Sequence, residues 1–219
     1  MDALQQFDAG IFSVINGWHA AYFDSFMWLV TKIATWIPMI LMLLYLLYFK
    51  KGWRKTVAVV LAIALVILIA DQVSASIIKP LVERARPSHN ESLQSTIHIV
   101  NGYRGGPFGF VSSHAANFMA IATLLTFITR QRLVLFSLVT WTLLQCYSRM
   151  YLGVHYPGDI LGGLIVGALA GWLVWCLMRW IQRRWRLPEG HYTRFDATLM
   201  ASAAAISVIG LLTAALIIQ

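Results

Sequence analysis

The 219-residue sequence predicts an all-α polytopic membrane protein: six transmembrane helices with an N-terminal interfacial helix. Three observations carry that expectation. Hydrophobic residues make up 59% of the chain and charged residues 12%, at a mean hydropathy of +0.69, whereas soluble domains run near half and a quarter. Six apolar stretches approach the ~20 residues that cross a bilayer as a helix. Basic residues gather in alternate connections between them, as in membrane proteins of defined topology.

The elements follow in order. Leu4, Phe7, Ile11, Val14, Ile15 and Trp18 recur at helical spacing over 4–18 with polar residues opposite, which predicts a short helix lying in the membrane interface. The spans are expected at about 24–49, 56–78, 114–129, 133–152, 158–180 and 197–218. No internal repeat or low-complexity segment interrupts them, so residues 1–219 read as one membrane-embedded domain. The N-terminus lacks a basic n-region, and no cleaved signal peptide is expected. Cys146 and Cys176 fall in apolar segments without metal-ligand spacing and read as small hydrophobes.

The net charge of +8 resolves into topology. Lys50, Lys51, Arg54 and Lys55 lie between the first two spans, Arg130 and Arg132 between the third and fourth, and Arg179, Arg183, Arg184, Arg186 and Arg194 between the fifth and sixth. These are eleven of the 17 basic residues, and the positive-inside rule makes their side cytoplasmic. Nucleic acid is not needed as a partner. The other connections then face outward, yet they carry Lys79, Arg84, Arg86, Arg104 and Arg149. The first, about 79–112, is also long, as functional loops often are.

Three blocks on that outward face carry the chemistry. Lys79, Arg86 and Pro87 follow the second span, Ser112-Ser113-His114 opens the third, and Ser148, Arg149, His155 and Asp159 join the fourth to the fifth. Lys79, Arg86 and Arg149 suit phosphate oxygens. Ser112 or Ser113 is placed to cap a helix whose free N–H groups favour anions. Asp159, four residues after His155, can take a proton from one ring nitrogen and leave the other free to attack, with His114 as general acid.

The blocks resemble the three signatures of the type 2 phosphatidic acid phosphatase superfamily: K-x6-RP, PSGH and SR-x5-H-x3-D. Lys79, Arg86 and Pro87 match the first, and Ser148, Arg149, His155 and Asp159 the third, with every spacing kept. The second departs, with Val111 in place of proline and Ser113 in place of glycine, while Ser112 and His114 align. The resemblance implies a lipid phosphate phosphatase in which His155 attacks phosphorus to give a phosphohistidine. It further implies that His114 serves the leaving group, Asp159 orients His155, and Lys79, Arg86, Ser112 and Arg149 bind the phosphate. No metal and no cofactor is expected. The implied partner is a lipid phosphate in the membrane: undecaprenyl diphosphate, a lipid A phosphate, phosphatidate or phosphatidylglycerol phosphate. The compact chain resembles bacterial members, which places it in an inner membrane with its site facing the periplasm. A phosphotransferase on the same scaffold and a catalytically silent lipid-binding or transport protein are the alternatives; the intact His155, Asp159 and His114 argue against the second.

Other features carry weaker expectations. Arg104-Gly105-Gly106-Pro107 and Asn101-Gly102 read as a flexible turn covering the site. Arg84, Arg104, His89 and His98 read as solvated loop residues, and His19 and His191 as interfacial. The Asn90-Glu91-Ser92 glycosylation pattern is discounted. Lys32 and Asp71, ionisable within apolar spans, are expected to pair with each other, or Asp71 to support the floor of the site.

Overall fold

The computed structural model describes residues 3–184 and 193–218, and those residues are helical with no strand among them. Helix α1 (Ala3–Gly17) is followed by α2 (Ala21–Val30), a 3-10 turn (Ile33–Trp36) and the long α3 (Ile37–Asp71). A π-helical stretch (Gln72–Ile78) and the short α4 (Lys79–Val82) continue α3. After a loop come α5 (Ser113–Thr129), α6 (Arg132–Tyr151), α7 (Pro157–Arg184) and α8 (Arg194–Ile217). His191 and Arg186 lie outside the described residues.

The last four expected spans coincide with α5 to α8, but the first is corrected. Instead of one helix over 24–49, α2 and the start of α3 meet at a 73° bend across residues 31–32. Pro38, in the first turn of α3, cannot continue a helix from upstream. Side chains satisfy the backbone freed by the break: Trp36 Nε1 and Gln145 Nε2 both donate to Val30 O at 2.8 Å, and Thr35 Oγ1 donates to Leu29 O at 2.8 Å. The basic connection expected near 50–55 is a kink at Gly52 (φ 75°, ψ 165°), not a loop.

Among the described residues three helices are long and apolar enough to cross a membrane, Gly52–Val82, Pro157–Arg184 and Arg194–Ile217, and the count is four if the bent pair is one span. Helix α5 is apolar but has only 17 residues. The 20-residue α6 has a polar interior, with Thr142, Gln145, Ser148 and Arg149 buried while Leu135, Phe136 and Leu143 are exposed. A helix that turns its polar groups inward and its apolar groups outward suits lipid surroundings, although average hydropathy hides it.

Helix α1 shows the same inversion. Phe7, Val14 and Trp18 are exposed, while Asp8, Phe12 and Asn16 are buried against the bundle. Asn16 ties down the outer loops: its Nδ2 donates to His98 O (2.9 Å) and Tyr151 O (2.8 Å), and its Oδ1 accepts from His98 N (2.8 Å).

The centre of the fold is the α5–α7 pair. Gly163, Gly167 and Gly171 form one stripe along α7, and α5 opposes it with Ala115, Ala116 and Ala120. A Cβ at Gly171 lies 2.6 Å from Ala120 O, and one at Gly167 lies inside contact distance of Ala116 O. Because α5 carries Ser112–His114 and α7 carries Asp159, this approach sets the spacing of the site. Gly167→Leu is therefore expected to lower the thermal midpoint in detergent, in line with overpacking costs of about 1–3 kcal/mol, and to lower phosphate release with it. Gly210→Leu on α8, where nothing lies within 4 Å, should change neither.

Candidate active site

All seven residues singled out in the three blocks lie at one end of the bundle. The helices run alternately, so the connection at 130–132 lies at the opposite end. Lys79 opens α4, Arg86 precedes a 3-10 turn (Pro87–His89), Ser112 caps α5, His114 lies in its first turn, Arg149 ends α6, and Asp159 lies in the first turn of α7.

His155 is held from both sides of its ring. Arg86 Nη1 is 3.0 Å from His155 Nε2, and Asp159 Oδ2 is 3.3 Å from His155 Nδ1. An arginine is always protonated and has no acceptor, so Nε2 must present its lone pair to the guanidinium and Nδ1 must carry the ring proton. Burial, then the positive charges of Arg86, Arg149 and Lys79, hold the imidazole pKa well below its usual value. The ring is neutral, with Nε2 turned toward the cations.

Asp159 is fully buried and fully engaged. Its Oδ2 also accepts from Tyr156 N at 3.0 Å, its Oδ1 accepts from Arg84 Nη1 at 2.9 Å, and its backbone carbonyl accepts from Ser112 N at 2.9 Å. That last bond locks the start of α7 to the start of α5. Arg84 reaches onward to Asp8 Oδ2 at 2.6 Å, and Asp8 Oδ1 accepts from Gly158 N at 2.7 Å. The chain Asp8–Arg84–Asp159–His155 connects α1 to the His155 ring. Arg84 is thus a structural member of the site and not a solvated loop residue; its place between two acids from distant helices leaves no local sequence signal.

The cations are held by neutral groups. Arg149, 2% exposed, donates to Thr31 Oγ1 (2.6 Å) and Tyr103 OH (3.2 Å). Thr31 is in the bend after α2, so the broken helix supplies a ligand for the arginine. Lys79 Nζ donates to Ser113 Oγ at 2.6 Å, and Ser113 Oγ is hydrogen-bonded to Ser74 Oγ at 2.9 Å. The departure from glycine at 113 therefore provides a hydroxyl that positions the lysine, and the π-helical stretch presents Ser74 to it. Ser112 is the cap: its Oγ accepts from Ala115 N at 3.4 Å. The expected Lys32–Asp71 pair is not formed: Lys32 Nζ lies 4.0 Å above the Trp28 ring.

The covering loop is anchored, contrary to the flexible turn expected. Arg104 Nη1 donates to Ser88 O (2.8 Å) and Ser88 Oγ donates to Arg104 O (2.7 Å). Gly105 lies against the Arg86 guanidinium, and a Cβ on Gly109 would stand 2.7 Å from Asp159 Oδ2. Asn101 and Gly102 do turn the chain, both at positive φ. His98 is bound rather than solvated, 2.8 Å from Asp24 Oδ1 and stacked on His19. His89 is exposed as expected, and Asn90 donates to Tyr156 OH.

An enclosed neutral imidazole facing two arginines and a lysine, at the N-termini of two helices, is built to meet a tetrahedral anion. The arginine Nε atoms of Arg86 and Arg149 are buried without an acceptor among the described residues, which is costly unless a ligand supplies one. Among the described residues no three His, Cys, Asp or Glu side chains are grouped to hold a metal ion.

Comparisons with known proteins agree with this arrangement. Residues 55–183 match the model of the PAP2 superfamily. The chain is 41% identical over 174 residues to a lipid A 4'-phosphatase of Bacteroides thetaiotaomicron, covering 79% of this chain and 77% of that one. It is 33% identical over 185 residues to a lipid A 4'-phosphatase of Porphyromonas gingivalis, covering 84% and 78%. Its fold is similar to the crystal structure of a transmembrane PAP2-type phosphatidylglycerolphosphate phosphatase from Bacillus subtilis, at a TM-score of 0.63 and 21% identity over 84% of this chain and 90% of that one. With blocks, fold and relatives in agreement, the chain belongs to the PAP2 superfamily and is a membrane phosphatase, a hydrolase.

Proposed function

We propose that the protein removes the 4'-phosphate of lipid A at the extracytoplasmic face of a bacterial inner membrane, through a phosphohistidine on His155. The observation that carries this reading is the pair of contacts on the His155 ring, Arg86 Nη1 at 3.0 Å from Nε2 and Asp159 Oδ2 at 3.3 Å from Nδ1, which turn an Nε2 lone pair toward the cation cluster. Lipid A is favoured because both extended relatives bear that activity by name. The six-span layout follows if α5 and α6 cross along with the bent pair; the basic connections then lie at the cytoplasmic end.

In this mechanism phosphate oxygens draw Lys79, Arg86 and Arg149 away from their neutral partners, and Arg86 releases Nε2. The Nε2–P bond forms as the bond from phosphorus to the lipid oxygen breaks. Charge developing on the imidazole is stabilised by Asp159. The bound anion offsets the cations around His114 and raises its affinity for a proton, which it passes to the leaving oxygen. Water then attacks phosphorus, His114 takes its proton, and His155 is restored with inorganic phosphate released. Ser112 contributes the capped α5 terminus, whose N–H groups and dipole favour the negative equatorial oxygens.

Purified protein is expected to release phosphate from lipid A carrying a 4'-phosphate faster than from undecaprenyl diphosphate, phosphatidate or phosphatidylglycerol phosphate. His155→Ala should abolish release and the acid-labile phosphoprotein; an active His155→Ala enzyme excludes the nucleophile, and transfer to a second lipid without free phosphate identifies a transferase.

Arg84→Gln should lower kcat at least tenfold with little change in KM, since Arg84 holds Asp159 but touches no substrate; a change confined to KM argues against this positioning role. The pKa of His155 supplies a stability test. The unfolded ring binds a proton near pH 6.5 and the folded ring does not, so acidification below that pH favours the unfolded state by up to about 1.4 kcal/mol per pH unit. The thermal midpoint in phosphate-free detergent should fall from pH 7 to pH 5, and less steeply in His155→Gln.

A further inference from the structure

An apolar cavity of about 460 Å³ opens beneath His114, within the range of small-molecule sites. Its walls come from α3, α5, α6 and α8, and along α5 it extends from His114 to Leu125. Those eleven steps span about 16 Å, roughly half the ~30 Å hydrocarbon thickness and hence the depth occupied by a chain from one leaflet. Continuity with His114 joins this space to the phosphate site.

Two wall residues do not fit a purely hydrocarbon occupant. Asn117 is three residues after His114 on the same face of α5, and its Oδ1 is buried without a hydrogen-bond partner among the described residues. Trp141 Nε1, from α6, is likewise buried without an acceptor. The two belong to one level of the bundle, since the Trp141 ring packs edge-on at 4.6 Å against Phe118, the neighbour of Asn117. Two other polar wall groups are satisfied, Ser137 Oγ by Leu133 O at 2.8 Å and Trp36 Nε1 by Val30 O at 2.8 Å. An orphaned acceptor and an orphaned donor one helical turn below the leaving-group histidine require a ligand group that both donates and accepts.

We propose that this cavity holds one acyl chain of the substrate, and that Asn117 and Trp141 select a chain bearing a hydroxyl or amide close to the headgroup. The inference rests on the lipid phosphatase reading above and names a feature of its substrate. A plain ester-linked chain brings an acceptor for Trp141 Nε1 but no donor, and so leaves Asn117 Oδ1 unsatisfied; a hydroxyacyl or N-acyl chain pairs both. Asn117 and Trp141 are specificity determinants and take no part in the chemical step.

The test uses the full chain in detergent and three synthetic sugar 4-phosphates that differ at one acyl position: a 3-hydroxyacyl amide, an unsubstituted acyl amide and an unsubstituted acyl ester. The wild-type protein should prefer the best polar-substituted lipid over the ester by roughly tenfold in kcat/KM, the scale of one or two buried hydrogen bonds. Asn117→Leu should bring that ratio toward one, and Trp141→Phe, which removes a donor that an ester carbonyl also meets, should change it less. The ratio does not depend on the folded fraction, so partial misfolding of a variant cannot imitate the result. The ranking of the two amides tells the hydroxyl from the amide as the recognised group. Equal rates on all three lipids with the wild type, or an unchanged ratio in Asn117→Leu, overturn the inference and leave the phosphatase reading standing. Release from none of the lipids removes that reading and this inference with it.

Discussion

The close approach of α5 and α7 underlies the rest of the structure. Three glycines on one helix and three alanines on the other let the backbones meet, and the Ser112 N–H to Asp159 C=O bond closes the pair at its outer end. Inside a bilayer there is no hydrophobic drive to hold two helices together, so packing and such hydrogen bonds must do it. Asp159, the partner of His155, sits on one member of this pair, and Ser112, which caps α5, and His114 on the other. A fraction of an ångström of separation would therefore act directly on the chemistry.

The second organising constraint is desolvated positive charge. Arg149 is almost fully buried, and Arg86 and Lys79 are half-buried beside it, where burial disfavours the charged form and like charges repel. The fold answers with dipoles rather than counter-ions: Thr31 and Tyr103 for Arg149, Ser113 for Lys79, Val154 O for Arg86. Neutral partners hold the cations in place while leaving their charge uncompensated, which favours an arriving anion. Carboxylates are kept one step away. Asp159 and Asp8 engage Arg84 and the α7 terminus, so they orient His155 without neutralising the site.

Each motif block was legible because its members are local in sequence. The four-residue step from His155 to Asp159 predicts that both lie at the start of one helix; Asp159 does, in the first turn of α7, while His155 stands two residues before that helix with its ring nitrogen facing the carboxylate. Helices α5 to α8 were legible from apolar length and polar punctuation. The break between α2 and α3 was signalled only by Pro38 within an apolar run, and its hydrogen-bond compensation comes from Gln145, more than a hundred residues away. Arg84, Asp8, Thr31 and Tyr103 belong to the site by contacts across many tens of residues, which no spacing rule encodes. The inward polar face of α1 was half legible: periodicity located the amphipathic helix, but which face meets protein depends on what lies beside it.

The sequence by itself determined that the chain is a helical membrane protein carrying the motif blocks of a phosphatase family, because composition, helix length and short motif spacing are local properties of the chain. Only the tertiary structure decided the tautomer of His155, the partners that hold the cations, the use of Ser113 to seat Lys79 and the cavity beneath His114. Those depend on which side chains distant segments bring within about 3 Å of one another, the distance at which hydrogen bonds form and buried charges are either satisfied or left to wait for a ligand.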